Sequence, residues 1–305
     1  MHIIAVLNRD GGTLRTMDLD AFCDDARARF AAHDHQLECW VVAGDAVEAA
    51  LRQAATSAGV DAIMAGGGDG TISAAARIAY ETGMPLAVLP AGTMNLFARA
   101  LNMPLVLEEA LEAIAGGTVG AVDIATANDR AFVHQFGVGI HARLVRIREN
   151  MTYGSRAGKM LASLRAIGAA AINPPRFEAE FHTSEGAERR RVSGIAISNN
   201  PLGEGHIHAD RLDAGVLGIY VAAPVSTSEL LRLSMDLFMG TWRESPMVSE
   251  RAVDQVTLHF PKRKRGAHAV IDGELIALDR SVMLKLHPQA LKVILPKIAA
   301  PAGPA

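Results

Sequence analysis

The sequence predicts an α/β domain with a doubly wound parallel sheet, followed by an antiparallel β domain. Up to residue 115, short apolar runs alternate with helical patterns and short loops, which is typical of a parallel sheet covered by helices. After a glycine cluster at 116–120, short strand patterns follow one another with turn signals between them. We therefore expect a first domain at 1–120 and a second domain at 121–287.

The elements of the first domain follow from apolar periodicity and capping signals. Asp45 is the expected N-cap of the second helix, and Gly59 follows its end. A glycine loop is expected at 8–13. The predicted strands are 2–7, 37–42, 61–65 and 85–89, and the predicted helices are 19–32, 46–58, 72–79 and 105–115.

The second domain is predicted from β-branched and aromatic runs that are joined in several places by hairpin-like turns, such as 128–129 and 184–186. Helical segments are expected at 140–151, continuing at 157–171, and at 228–239. The end of the chain, 299–305, is rich in Pro, Ala and Gly and is expected to be loose. The predicted strands are 119–127, 131–136, 176–182, 192–198, 215–221, 253–260, 267–271 and 281–287.

Composition and charge exclude several classes of protein. The 305 residues are 50% hydrophobic and 21% charged, which suits two globular domains with separate cores. A net charge of −3 gives no global basic field that would recruit nucleic acid. The first residues lack a signal-peptide pattern, and no apolar run approaches the length of about 18 residues that a membrane span requires. We expect a cytoplasmic protein, with Cys23 and Cys39 as buried free thiols in a helix and a strand.

The motif GGGDGT at 66–71 stands between a predicted strand and a predicted helix. Glycines allow backbone N–H groups to approach an anion closely, and the helix adds the positive end of its dipole, so phosphate is the expected ligand. Asp69 would repel phosphate unless a divalent cation or a proton lies between them, which suits phosphoryl transfer. The alternative is a tight turn without a ligand.

Two further loops are expected beside this motif. Asn8 follows the first predicted strand, and residues 92–95 follow the fourth. Loops at the carboxyl ends of parallel strands gather at one edge of the sheet, so all three should meet in one crevice.

The motif, together with PAGTMNLFAR at 90–99 and IDGE at 271–274, resembles the diacylglycerol kinase catalytic-domain family, which includes sphingosine and ceramide kinases. The resemblance spans most of the chain. It implies that the second domain is a β-sandwich and that a last strand, at 288–298, completes the first domain. GGDGT alone is shared with NAD kinases.

The resemblance also implies ATP and Mg²⁺ as cofactors. It implies that the glycines and Thr93 contact the ATP phosphates and that Asn95 shapes its loop. Asn8 matches the family pattern, whereas Arg9 replaces the usual proline. The ATP-binding residues expected on this basis are Asn8, Gly66, Gly67, Gly68, Asp69, Gly70, Thr71, Gly92, Thr93 and Asn95.

The general base has two candidates. By itself IDGE predicts a hairpin turn with Glu274 as the first residue after it. The resemblance implies instead that this turn faces the nucleotide phosphates, with Glu274 as the base and Asp272 as its neighbour. A carboxylate is needed because the pKa of a lipid hydroxyl lies far above 7. Asp69 is the rival base, and the sequence leaves the choice open.

The magnesium ligands depart from the bacterial members of the family. Leu96 and Ala214 stand where acidic residues are usual, and Asp213 lies one position out of register. We therefore expect no structural magnesium site of the usual kind, but we do expect catalytic Mg²⁺ with ATP. Asp69 and Asp213 are the candidate ligands. His206 and His208, which would share one face of a strand, are a weaker metal candidate.

A lipid substrate implies peripheral contact with the inner face of the cell membrane. The basic runs 189–191 and 262–265 could contact anionic headgroups or could protect a sheet edge. The segment 230–242 could face lipid or pack on the sandwich, and Lys159, Met160, Leu161 and Leu164 have the same two interpretations. The sequence leaves open whether the chain forms a homodimer.

The sequence thus predicts an ATP-dependent lipid kinase acting on a diacylglycerol-like or sphingoid hydroxyl. The alternatives are a NAD kinase, against which PAGTMNLFAR argues, and an inactive nucleotide- or lipid-binding regulator. The acidic residues missing at positions 96 and 214 favour the regulator, and the presence of Asp69 and Glu274 opposes it.

Overall fold

A computed structural model describes residues 1–149 and 172–297 of the chain. It divides into two compact units. The first comprises Met1–Asp123, Arg211–Asp213 and the chain from Gln289 onward, and the second comprises Ile124–Asp210 and Ala214–Pro288. The predicted helix at 157–171, with its candidate lipid-facing residues, and the predicted tail at 299–305 lie outside the described residues.

The secondary structure of the described residues alternates between strands and helices up to residue 115 and is mostly β after it. The helices are α1 Leu19–Ala32, α2 Val47–Thr56, α3 Asp69–Thr82, α4 Leu96–Ala100, α5 Leu107–Ala115, α6 Ile140–Glu149 and α7 Thr227–Met239. The strands are β1 His2–Asn8, β2 Gln36–Val42, β3 Ala62–Gly67, β4 Leu86–Pro90, β5 Thr118–Ala127, β6 Arg130–Phe132, β7 Gln135–Gly139, β8 Phe177–Thr183, β9 Gly186–Val192, β10 Gly194–Ser198, β11 Leu217–Ala222, β12 Val248–Val253, β13 Gln255–His259, β14 His268–Ile271, β15 Glu274–Ala277 and β16 Ser281–Leu295.

The first unit is built on a parallel sheet with the strand order β2-β1-β3-β4-β16, which confirms the predicted α/β class. The central strands β3 and β4 are buried along their whole length, as expected when helices cover both faces of a sheet. The chain leaves β1 toward one edge of the sheet and continues from β3 toward the other. Such a switch point, here between β1 and β3, is where ligands bind in open α/β sheets.

Some predicted boundaries in the first unit are wrong. Helix α3 begins at Asp69 rather than at residue 72, because Gly68 is extended in the N-cap position and strand β3 continues through Gly67. Asp45 is not an N-cap, since it lies inside a short 3₁₀ turn and Ala46 precedes α2. Helix α2 stops at Thr56, where the hydroxyl group donates back to the carbonyls of the last turn.

The second unit contains two antiparallel sheets, which confirms the predicted β-sandwich. One sheet has the order β12-β11-β10-β7-β14-β15. The other contains β13, β8 and β9 with the first half of β16, and the β5-β6 pair. The two sheets share one apolar core, which includes Phe132, Phe136, Phe181, Leu258 and Leu284.

Three strands of the second unit escaped prediction, namely β9, β12 and β15, and each lies at the end of its sheet order. Strands β9 and β12 are exposed at most of their positions, and β15 has only four residues, so the period of two that reveals a half-buried strand is weak in all three. The predicted strand at 131–136 is also wrong, because it divides into β6 and β7 around Val133 and His134.

Strand β16, which ends at Leu295, replaces two predicted strands, at 281–287 and 288–298. Its first residues pair with β13 in the second unit, and Val293 pairs with Leu86 in the first. Pro288 has no N–H to donate to a ladder, and the next N–H, that of Gln289, donates to the buried Asp123 carboxylate at 2.9 Å.

The other elements agree with their predictions or extend them. Helix α7 confirms the predicted helix at 228–239, while the short helix α4 was not predicted. Cys23 on α1 and Cys39 on β2 are free thiols, and only Cys23 is fully buried. In the two described stretches no helix is long and apolar enough to cross a bilayer.

Candidate functional site

The GGGDGT motif forms the junction between β3 and α3, at the switch point of the parallel sheet. The first N–H groups of an α-helix have no acceptor within the helix, and they lie at the positive end of its dipole. Thr71 in this first turn is buried, and its hydroxyl accepts a hydrogen bond from Nδ2 of Asn8 at 3.1 Å. The ends of β1 and β3 are therefore tied together beside an anion-binding helix terminus.

Close backbone packing explains several of the glycines. A Cβ atom at Gly92 would lie 2.7 Å from Cα of Gly68 and 2.8 Å from Oδ1 of Asn95. A Cβ at Gly67 would lie 2.6 Å from the Thr71 side chain. Gly12, which the sequence did not single out, has a φ of +49° and leaves only 1.8 Å between its notional Cβ and the Ala91 carbonyl oxygen. The loops after β1, β3 and β4 thus approach each other more closely than side chains would allow.

Asp69 joins the glycine motif to the loop after β4. Its Oδ1 accepts the N–H of Leu96 at 2.7 Å, and its Oδ2 accepts the N–H of Asn95 at 3.1 Å. Both carboxylate oxygens therefore hold backbone groups. Asp69 positions the loop, and its assignments as a base and as a metal ligand stay predictions.

Asn95 closes the same loop from within. It adopts the left-handed conformation, with a φ of 51°, and is buried. Its Oδ1 accepts the Gly92 N–H at 2.8 Å, and its Nδ2 donates to the Gly92 carbonyl at 3.1 Å. Thr93 stays exposed at the tip of the loop, where the resemblance expects ATP phosphates.

The loop after β1 is also connected to the loop after β2. Oδ1 of Asn8 accepts the N–H of Asp10 at 3.0 Å, and the Asp10 carboxylate accepts the N–H of Gly44 at 2.8 Å. Asp10 and Gly44 were not predicted as parts of the site. The expected meeting of three loops is therefore observed, with a fourth loop attached to them.

In the second unit, Asp272 and Gly273 form the two-residue turn between β14 and β15. Both have positive φ, 47° and 88°, as a type I′ hairpin turn requires. The Asp272 carboxylate accepts three backbone N–H groups, those of Val133, His134 and Gln135, at 2.9–3.0 Å. Asp272 thus anchors the connection that divides β6 from β7.

Glu274, the first residue after the turn, has a different environment. Its side chain is 55% exposed and forms an ion pair with Arg130. Such a pair is screened by water and leaves the carboxylate open to a second partner. Arg130 was missed in the sequence, since no short motif contains it and only the strand pairing brings it to Glu274.

The predicted metal ligands Asp69 and Asp213 both have hydrogen-bond partners within the protein, and their assignment as metal ligands stays a prediction. Asp213 in the first unit accepts a hydrogen bond from Nε of Arg211 at 2.7 Å, and this guanidinium lowers the pKa of Asp213. Within 1–149 and 172–297, one group of three His, Cys, Asp or Glu donors is close enough to share an ion. That group contains neither Asp69 nor Asp213; its members are His206, His208 and Asp210.

Comparison with known proteins identifies the family. Residues 2–127, which include the whole glycine motif and its neighbouring loops, match the sequence profile of the diacylglycerol kinase catalytic domain. The chain carries a diacylglycerol kinase catalytic domain. The resemblance predicted from the motifs is thus confirmed over residues 2–127.

Similarity to individual relatives extends beyond residues 2–127. A diacylglycerol kinase of Mycobacterium tuberculosis is 29% identical over 278 residues, which is 84% of each chain. An uncharacterized protein of Synechocystis sp. is 29% identical over 77% of this chain and 54% of its own. The chain therefore spans about half the length of that relative.

Solved structures show the same fold over both units of this kinase-domain chain. The crystal structure of a diacylglycerol kinase from Bacillus anthracis str. Sterne superposes with a TM-score of 0.70 at 18% identity, covering 97% of both chains. A second crystal structure from the same organism gives a TM-score of 0.75 at 21% identity, covering 97% of this chain and 95% of that one.

The contact between Gly68 and Gly92 generates a prediction. Gly92→Ala forces the two loops apart, and overpacking of this kind costs about 1–3 kcal/mol. We expect ATP affinity, measured by isothermal titration calorimetry, to fall at least about tenfold. Gly116→Ala is the matched control, because Gly116 has a φ of −86° and its added Cβ would lie 3.4 Å from the nearest side-chain atom. Unchanged ATP affinity in a folded Gly92→Ala variant would show that the close approach is not part of the ATP site.

Proposed function

We propose that the protein is an ATP-dependent kinase that transfers the γ-phosphate to a hydroxyl group of a diacylglycerol-like or sphingoid lipid. The observation that carries the proposal is a pair of hydrogen bonds between the first two motifs. The Asp69 carboxylate of GGGDGT accepts the backbone N–H groups of Asn95 and Leu96 in the PAGTMNLFAR loop. Both motifs lie inside the matched catalytic domain. The lipid as acceptor rests on the names of the relatives.

The nucleotide site works by positioning and charge. Phosphoryl transfer needs little covalent help from the protein, so fixed dipoles and well-placed donors supply most of the catalysis. The N-terminus of α3 supplies such dipoles, and the glycines let the triphosphate come close to the backbone. The family implies ATP with a divalent cation, for which we propose Mg²⁺ beside Asp69, where it neutralises phosphate charge.

The acceptor hydroxyl needs a base. As its oxygen bonds to the γ-phosphorus, the bond to the ADP oxygen breaks and the hydroxyl proton must leave. We assign this proton to Glu274, since its carboxylate is exposed and held by Arg130 on one side only. Asp69 and Asp272 are weaker candidates, because backbone N–H groups occupy both of their oxygens.

The decisive experiment follows labelled γ-phosphate from ATP with Mg²⁺ in mixed micelles. The acceptors are diacylglycerol, monoacylglycerol, ceramide, sphingosine, undecaprenol and NAD. A labelled diacylglycerol or sphingoid lipid supports the proposal and identifies the acceptor. Labelled NADP alone would make the protein a NAD kinase. ATP binding without any product would make it an inactive regulator.

The choice of base gives a second prediction. Glu274→Gln removes the proton acceptor and keeps the size of the side chain, so we expect kcat to fall about 10²–10⁴-fold with ATP affinity unchanged. Asp69→Asn replaces one oxygen that accepts an N–H by an amide donor, so we expect it to weaken ATP binding instead. Steady-state kinetics and calorimetry separate these two effects.

Glu185→Gln, in the exposed β8–β9 turn, is the control for a neutralised surface carboxylate. If Glu274→Gln kept most of the turnover while Asp69→Asn abolished it with ATP still bound, the base would be Asp69.

Helix α7 is the proposed contact with the membrane. Its inner face packs through the buried Leu230 and Leu233. Its outer face carries an exposed stripe with the spacing i, i+4, i+7 and i+8, which is one side of a helix. The members of this stripe and their exposed fractions are Leu231 47%, Met235 60%, Phe238 86% and Met239 65%. The inner face supports the interpretation of the segment 230–242 as a helix packed on the sandwich, and the exposed outer face supports the proposed insertion at a bilayer interface.

The basic runs are less suited to membrane binding. Arg189 lies on the edge strand β9 and forms ion pairs with Glu178 and Glu180. Lys262 forms an ion pair with the same Glu178 at 3.0 Å. These contacts favour the alternative in which charges protect a sheet edge.

The membrane proposal predicts vesicle binding. The double variant Met235→Gln/Phe238→Gln removes the centre of the stripe, so we expect its partition onto anionic phospholipid vesicles to fall at least about tenfold in a co-sedimentation assay. Met283→Gln, at a residue that is 43% exposed on β16, is the control. Equal losses in both variants would exclude the stripe as the membrane contact.

A further inference from the structure

A cluster of metal donors lies in the chain between β10 and β11, apart from the kinase motifs. His206, His208 and Asp210 each place one donor atom within 4.8 Å of the others. The sequence suggested the two histidines but no third partner, because the loop conformation, and not a regular spacing, brings the carboxylate to them. None of the three belongs to the nucleotide motifs or to the β14–β15 turn.

The ring orientations suit metal binding. Nδ1 of His206 faces the His208 carbonyl oxygen at 3.1 Å, and Nδ1 of His208 faces the Ala209 carbonyl at 3.3 Å. Metal-binding histidines commonly donate one ring N–H to a carbonyl, which fixes the tautomer and leaves the other nitrogen as the ligand. In His206 that other nitrogen is Nε2, which lies 3.0 Å from the Asp210 carboxylate.

The two rings are stacked. Their centroids are 3.8 Å apart and their planes differ by 13°. The stacking keeps a nitrogen of each ring close to the Asp210 carboxylate, so that one divalent cation can reach all three donors.

The surrounding backbone is built around the cluster. A Cβ at Gly203 would lie 2.1 Å from Cε1 of His206 and 2.2 Å from Oδ1 of Asp210, so a side chain there would displace both donors from the cluster. The Gly203 N–H donates to the His208 carbonyl at 2.8 Å, and Leu202 pairs with Ala209 as a β-bridge. The Arg243 guanidinium donates to the carbonyls of both Leu202 and Gly203. These bonds hold the two arms of the loop together before any ion binds.

We propose that His206, His208 and Asp210 form a binding site for a transition-metal ion of the Zn²⁺ class. Two imidazole nitrogens and one carboxylate oxygen are a donor set typical of such ions, whereas Mg²⁺ and Ca²⁺ prefer oxygen ligands only. The ion fixes the loop from Gly203 to Asp210. All three donors belong to the second unit.

The test uses tag-free, chelator-treated protein and Zn²⁺ as the probe. Cys23 and Cys39 are replaced by serine so that no thiol competes, and Mg²⁺ is kept at millimolar concentration throughout. Calorimetry should show about one Zn²⁺ bound per chain, and Co²⁺ should give visible absorption bands of a nitrogen- and oxygen-ligated ion. Zn²⁺ should also raise Tm, since it binds the folded state.

Variants assign the binding to these residues. His206→Ala/His208→Ala should lower Zn²⁺ affinity at least about 100-fold and abolish the rise in Tm, and Asp210→Asn should lower affinity about tenfold. His182→Ala, at a half-exposed histidine on β8, is the control and should bind Zn²⁺ like the parent. The Tm and the circular dichroism spectrum of each metal-free variant report on its folding. If the double variant does not fold, His206→Asn provides the same comparison.

Three outcomes would overturn the proposal. One is that no Zn²⁺ binds at about 0.1 mM, because a site with three protein ligands should be filled at that concentration. Another is that the ligand variants bind as well as the parent. The third is that Mg²⁺ displaces Zn²⁺, which would show an oxygen site of another kind. All three readouts are independent of kinase turnover, so they stand apart from the proposed function.

Discussion

The two hydrogen bonds from backbone amides to the Asp69 carboxylate are the interaction on which the nucleotide site depends. They join the start of α3 to the start of α4, and so they fix the loop that Asn95 closes. A hydrogen bond to a charged group contributes about 1.5–3 kcal/mol, more than a neutral one. The glycines then allow the joined loops to lie close together beside the N-terminus of α3, where an anion can bind.

The second unit uses the same chemistry with a different result. Asp272 accepts three backbone amides and thereby ends one strand and begins the next. The aspartates of GGGDGT and IDGE thus both accept hydrogen bonds from backbone N–H groups. An aspartate in such a motif is nevertheless readily interpreted as a catalytic acid or base. The Glu274 carboxylate, by contrast, pairs with the Arg130 side chain and stays exposed to solvent. This contrast is why we assign the proton to Glu274.

The sequence pattern was sufficient for the parallel sheet, the antiparallel β domain and the convergence of the loops, while the sandwich followed from the family resemblance. Those features rest on buried apolar strands and on glycines, which are visible as runs and motifs. Strands β9, β12 and β15 were missed because these edge strands have little apolar periodicity. Arg130, Asp10 and Asp210 were missed for another reason: their partners are distant in sequence or are brought near by an irregular loop, so no local pattern encodes the contact.

Strand β16 has a consequence for synthesis on the ribosome. Val293 pairs with Leu86, so the parallel sheet of the first unit needs a strand from the far end of the chain. Until that strand emerges, β4 has an open edge with unpaired amides and carbonyls, and such edges invite association with other chains. The N-terminal part of this unit is therefore translated first, but its sheet can be completed only after residue 293 has left the ribosome.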